Sequence, residues 1–121
     1  MKIRSILLAA MLLAAAAEAS AQSGPIKTVN GMLVGANGMT VYTFDKDSAG
    51  KSACNGQCAT NWPPVMADGA TLSGDYSAVT RDDGKAQVAY KGKPLYYWVK
   101  DTKAGDTTGD GVGGSWHLVK P

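Results

Sequence analysis

The sequence predicts an all-β fold, a small antiparallel sandwich or barrel built from two repeats at a 54-residue offset with long glycine-rich loops. Three observations predict it. Val34, Gly38, Tyr42, Asp47, Trp62 and Val65 recur at that offset as Val88, Gly92, Tyr96, Asp101, Trp116 and Val119, and Phe44 recurs as Trp98. Each copy therefore reads V-x3-G-x3-Y-x-(F/W)-x-x-D-x14-W-x-x-V. Short apolar runs are separated by glycine turns, and no segment beyond the first 21 residues carries a helical period. A pattern repeated without slippage describes one duplicated unit, each half completing the other's core.

Each element has its own signal. Residues 32–34 and 39–44 flank Asn37-Gly38, a strong hairpin signal because both turn residues accept positive φ. The repeat counterpart is Lys91-Gly92, between strands expected at 86–90 and 93–99. A further strand at 76–81 leads through Asp82-Asp83-Gly84 into Ala86. Residues 116–119 close the chain, with 63–66 as the shorter counterpart. Tyr42 and Phe44, like Tyr96 and Trp98, stand two apart and share a sheet face, which is read as core. Loops 45–61 and 100–115 are long for so small a domain. Such loops are usually functional or pinned.

The ends set the compartment. Lys2 and Arg4, an apolar run over 6–17 and Ala19-Ser20-Ala21 have the form of a secretory signal peptide over residues 1–21. Cleavage after Ala21 leaves 100 residues, with 22–30 expected as a flexible N-terminal arm. Residues 31–121 form the single duplicated β domain, repeat 1 at about 31–67 and repeat 2 at about 85–121. Without Lys2, Arg4 and Glu18 the chain keeps 10 basic and 9 acidic residues, net +1. That balance argues against a nucleic-acid partner. No later segment is apolar enough to cross a membrane, so the expected location is periplasmic or secreted.

Cys54 and Cys58 are the only cysteines. In an exported chain an even pair reads first as a disulfide. Its five-residue loop gives a chain-entropy contribution of about 2 kcal/mol. Thr108 and Val112 occupy the equivalent positions in the second copy. The alternative is a copper-binding or thiol-redox protein, with Cys54, Cys58 and the single histidine, His117, as ligands and Met39 or Met66 nearby. Asp47 and Asp101 read as caps for the loops after them. Asp45, Asp47, Asp101, Asp106 and Asp110 offer oxygen donors for Ca²⁺, but their spacing is not that of a calcium loop. Trp62, Trp98 and Trp116 with Tyr42 and Tyr96 read as core. Tyr97 alternates outward as a candidate contact. No catalytic constellation stands out, and the chain is expected not to be an enzyme.

Tyr42-Thr-Phe44-Asp-Lys-Asp47 and Tyr96-Tyr-Trp98-Val-Lys-Asp101 resemble the Y-x-(F/W/Y)-x-x-D motif of a bacterial secreted repeat family, known as predicted lipoproteins of unknown function. The segment from Cys54 to Pro64 is similar to the stretch after the first motif in that family, and Gly105 to Trp116 to the stretch after the second. The resemblance runs from Val34 to Val119. It implies a duplicated fold and no particular activity, and the lipid-attachment cysteine of many members is missing here. The reading is an exported, non-enzymatic binding or envelope-associated module, with no cofactor. Its partner is an unknown envelope protein or small ligand, met by the two long loops.

Overall fold

The computed structural model describes residues 25–121. The expected signal peptide at 1–21, its cleavage site and residues 22–24 of the expected arm lie outside the described residues.

Strand β1 (Ile26–Val29) pairs antiparallel with β2 (Met32–Gly35). Asn30-Gly31 joins them with φ of 52° and 77°, values that a two-residue hairpin turn demands. Over residues 26–30 this corrects the expected arm at 22–30. Ile26 is only 6% exposed, so burying it holds the segment as a strand. Asn30-Gly31 carries the same hairpin signal as Asn37-Gly38.

Strand β3 (Tyr42–Phe44) pairs with β7 (Trp116–Leu118) from the other end of the chain. On its second side, Tyr42 exchanges both backbone hydrogen bonds with Tyr96, at 2.8 and 3.0 Å. Tyr96 in turn bridges to Pro64. The result is four extended segments with the Tyr42–Tyr96 pair at the centre. Each repeat's tyrosine segment is flanked by the other repeat's tail. The expected strand at 63–66 survives only as bridges at Pro64 and Met66. Pro63 and Pro64 have no N–H to donate to a ladder.

In repeat 2, β4 (Tyr76–Thr80), β5 (Ala86–Tyr90) and β6 (Lys93–Pro94) form an antiparallel meander. Every ladder is antiparallel, and among the described residues none closes a barrel. Among the described residues, the helical content is a five-residue turn, α1 (Gln57–Asn61), and a 3₁₀ turn at Val112–Gly114. A single turn is too short to leave a period in the sequence.

Alternation along the central segments builds two cores. Val41 and Leu95 point to one face and join Ile26, Leu33, Val65 and Val88 in an aliphatic cluster. Tyr42, Phe44, Tyr96 and Trp98 point to the other and join Trp62 and Trp116 in an aromatic cluster. There Phe44 stacks on Trp116 (4.1 Å between centroids), Trp116 on Trp62 (3.7 Å) and Trp62 on Trp98 (4.0 Å), a row of four rings. Tyr42 meets Trp62 edge-on and Tyr96 meets Trp116 likewise. Each such pair adds about 0.5–1.5 kcal/mol beyond area burial.

The long loops cover the aromatic face where a sandwich would place a second sheet. Both are pinned, and each is pinned to the opposite repeat. The first reaches the Lys91-Gly92 turn, where Gly50 N–H donates to the Gly92 carbonyl at 2.9 Å. The second reaches the segment just before β3, where Thr40 Oγ1 donates to the Asp106 carbonyl at 2.7 Å. Among the described residues, no helix is long and apolar enough to cross a membrane.

Candidate functional site

The residues that the sequence singles out mostly assemble into the loop anchors. Tyr42 and Tyr96 are fully buried, and a buried phenol needs a partner for its O–H. Tyr42 donates to Asp101 Oδ2 at 2.7 Å, and Tyr96 donates to Asp47 Oδ2 at 2.7 Å. The remaining carboxylate oxygens cap the loops. Asp47 Oδ1 accepts the Ala53 N–H (2.7 Å), and Asp101 Oδ1 accepts the Thr108 N–H (3.0 Å) and hydroxyl (2.6 Å). Burial pushes both tyrosine pKa values far above 10.0, reinforced by the neighbouring carboxylates. Burial also raises the Asp47 carboxyl above its ordinary 3.8, opposed by the Ala53 and Tyr96 hydrogen bonds and by Arg81.

Cys54 and Cys58 form the disulfide. The thiolate donors of the copper alternative are thus joined to each other. His117, its third ligand, instead sets Nε2 2.8 Å from Asp45 Oδ2. Among the described residues, no three His, Cys, Asp or Glu side chains gather as a metal site. The calcium set is scattered too. Asp106 caps Thr102 and Lys103, whose N–H groups hold its carboxyl below the ordinary value, the Thr102 bond most. Asp110 Oδ1 accepts the Leu118 N–H. Tyr97 is half-buried rather than outward-facing: it packs on the aliphatic cluster, and a Cβ at Gly35 would sit 2.8 Å from its ring.

Arg81 is a buried feature that sequence reasoning misses, since an arginine beside Asp82-Asp83 reads as surface. It is 6% exposed. Its guanidinium donates to Gln87 Oε1 (2.9 Å), Ser52 Oγ (3.1 Å) and the Cys54 carbonyl (2.7 Å). Ser52 Oγ lies 2.6 Å from Tyr96 Oη, so a chain of hydrogen bonds joins Asp47, Tyr96, Ser52 and Arg81. A buried guanidinium tolerates desolvation only with such partners.

Two clefts among the described residues lie beside the first anchor. One cleft, about 230 Å³, has Phe44 and Pro94 among its lining, with Asp47, Ser48, Lys91 and Lys93. A second, about 310 Å³, is lined by Tyr90, His117, Leu118 and Lys120 among others. Thr43, Asp45 and Lys93 line both, so the two make one groove over β3, β6 and β7. The start of the first long loop contributes to it and the second loop does not. Nothing in the sequence joins Lys93 to His117; β3 does, pairing with β7 on one side and, through Tyr42 and Tyr96, with the segment after β6 on the other.

Fold and groove define a class: a duplicated β module, each half completed by the other, with a polar groove beside the junction. The family described as a secreted repeat of unknown function matches twice, over residues 24–66 and 77–120. The chain belongs to that family of secreted repeats. No curated protein and no solved structure matches the chain.

Proposed function

We infer that the protein is an exported, non-enzymatic binding module whose groove takes a small anionic ligand bearing a carboxylate or phosphate. The observation that carries this reading is the state of the groove's charges. Its acceptors are engaged: Asp45 with His117, and Asp47 with Tyr96 and Ala53. Lys91, Lys93 and Lys120 enter no ion pair among the described residues, although Lys91 Nζ lies over the Tyr90 ring, 5.4 Å from its centroid. Lysines converging on a cleft with apolar lining from Phe44, Pro94 and Leu118 suit a ligand with an anionic head and an apolar body. Membership of a secreted family supports action outside the cytoplasm.

The test is NMR titration of the labelled protein with inorganic phosphate, citrate and an alkyl phosphate. The expected result is shifts clustered at Thr43, Lys93 and His117, strongest for the alkyl phosphate, weakened by salt and abolished in Lys93→Glu. Shifts scattered over all exposed lysines, or unchanged in that variant, overturn the reading.

A further inference from the structure

The contacts between the two repeats are reciprocal. Tyr42 bonds Asp101 while Tyr96 bonds Asp47. The backbone of Tyr42 pairs with that of Tyr96 in both directions. The Asp45 N–H meets the Ser115 carbonyl at 2.8 Å while the Val99 N–H meets the Asn61 carbonyl at 3.1 Å, each pair displaced from the other by the repeat offset. Trp62 and Trp116 stack with planes 1° apart. An interface in which i meets j and j meets i is isologous, the kind that joins two copies about a two-fold axis. Here both copies lie in one chain, and only the segment 67–75 makes them one molecule.

That segment has a definable task. Ala67 N–H bonds the Ala86 carbonyl, at one end of β5, on the side of β5 away from β4. Tyr76 opens β4 opposite Tyr90, at the other end of β5. Four residues along a strand and two strand spacings across put Ala67 and Tyr76 roughly 16 Å apart. The nine Cα steps between them reach up to about 30 Å, so the native connection closes easily. Removing residues 68–73 leaves three steps, which reach only about 11 Å. A chain so shortened cannot close on itself, yet a second copy presents the whole inter-repeat surface it needs; both copies lose from the aliphatic cluster only Leu72, half-buried against it.

We propose that this chain exchanges repeats with a second copy of itself, repeat 1 of each closing on repeat 2 of the other to give a two-fold dimer of two native-like units. A connection this short supplies an effective concentration in the mM range, so the native chain stays monomeric at µM concentration and exchanges on refolding near mM. No groove residue sets the connection, so the exchange does not depend on what the groove binds.

The experiment compares the full chain with a variant lacking residues 68–73, by native mass spectrometry. Both also carry Thr43→Cys with His117→Cys, Cα partners across the β3–β7 ladder and hence across the repeats. The expected result is a doubled native mass for the shortened chain, with a covalent dimer on a non-reducing denaturing gel. The native-length chain should cross-link within itself at µM concentration and between copies after refolding near mM. A shortened chain that remains a folded monomer overturns the proposal. So does an unfolded shortened chain together with a native-length chain that cross-links only within itself at every concentration.

Discussion

The hydroxyl of Tyr42 donates to the carboxylate of Asp101, 59 positions away, at 2.7 Å, while the aspartate of its own motif, Asp47, serves Tyr96. The Y-x-(F/W)-x-x-D motif is therefore satisfied crosswise and not within itself. Each half buries a phenol that only the other half can satisfy, so neither aromatic core closes without both. The same crossing sends each long loop onto the other repeat's half of the fold.

Tyr42→Phe should destabilise by about 1–3 kcal/mol, because Asp101, 7% exposed, loses a donor and the Gly109 N–H loses its acceptor. Tyr96→Phe should cost less, because Asp47 is half-buried and keeps the Ala53 N–H, and Ser52 keeps Arg81 as a partner. Urea unfolding followed by tryptophan fluorescence measures both. Equal, near-zero costs would show that the crosswise bonds do not hold the halves together.

Gly109→Ala should be costly although the exchange is small. A Cβ there would lie 2.9 Å from Tyr42 and 3.0 Å from both Trp62 and Trp98, and none of these rings is the free end of a flexible chain. Overpacking of this kind costs about 1–3 kcal/mol. The near-ultraviolet circular dichroism of the stacked indoles should change with it. A substitution at Gly50, where a Cβ meets nothing within 4 Å, separates crowding from backbone strain: Gly50 sits at φ 73°, whereas Gly109 has no positive φ to lose.

The pH dependence has a definite sign. Asp47 holds its proton more tightly when folded, because burial opposes the charge. Its contribution is fully present below 3.8 and is lost as pH rises through the folded value. Parent and Asp47→Asn should therefore differ in stability by an amount that varies with pH over that interval and is flat outside it. At the alkaline end, Tyr42 and Tyr96 keep their protons when folded. The stability they supply is complete below 10.0 and is lost above it. Alkaline unfolding should coincide with tyrosinate absorbance. Tyrosinate from Tyr42 or Tyr96, read as the difference between the parent and the corresponding phenylalanine variant, appearing before tryptophan fluorescence changes would contradict this.

Breaking the Cys54–Cys58 bond should weaken the fold without abolishing it. The loop it closes is short, so the chain-entropy contribution is about 2 kcal/mol. Arg81 and the Asp47 cap hold the same loop independently. The paired serine variant should melt roughly 8–16 °C lower, at about 4–8 °C per kcal/mol for a domain of this size. Loss of all cooperative melting would mean that the bridge, and not those hydrogen bonds, organises the loop.

Repeat, strand periods and disulfide were legible because they are local or near-local signals. A fixed offset, residues two apart sharing a face and an even cysteine pair in an exported chain each need only the sequence in hand. Asn30-Gly31 was equally legible, and the strand before it obeys the same rule as Asn37-Gly38. Other features had no local signature. Tyr42 stands five residues from Asp47 and bonds Asp101. Arg81 sits in a polar turn and is buried. Lys93 and His117 share a groove only because β3 lies between β7 and the segment that follows β6. The sequence by itself determined that there are two equivalent halves and which side chains each offers. The tertiary structure alone decided that the halves interlock rather than stack. Two buried phenols must find acceptors in a core where each repeat places its own aspartate out of reach, and the crosswise pairing satisfies both.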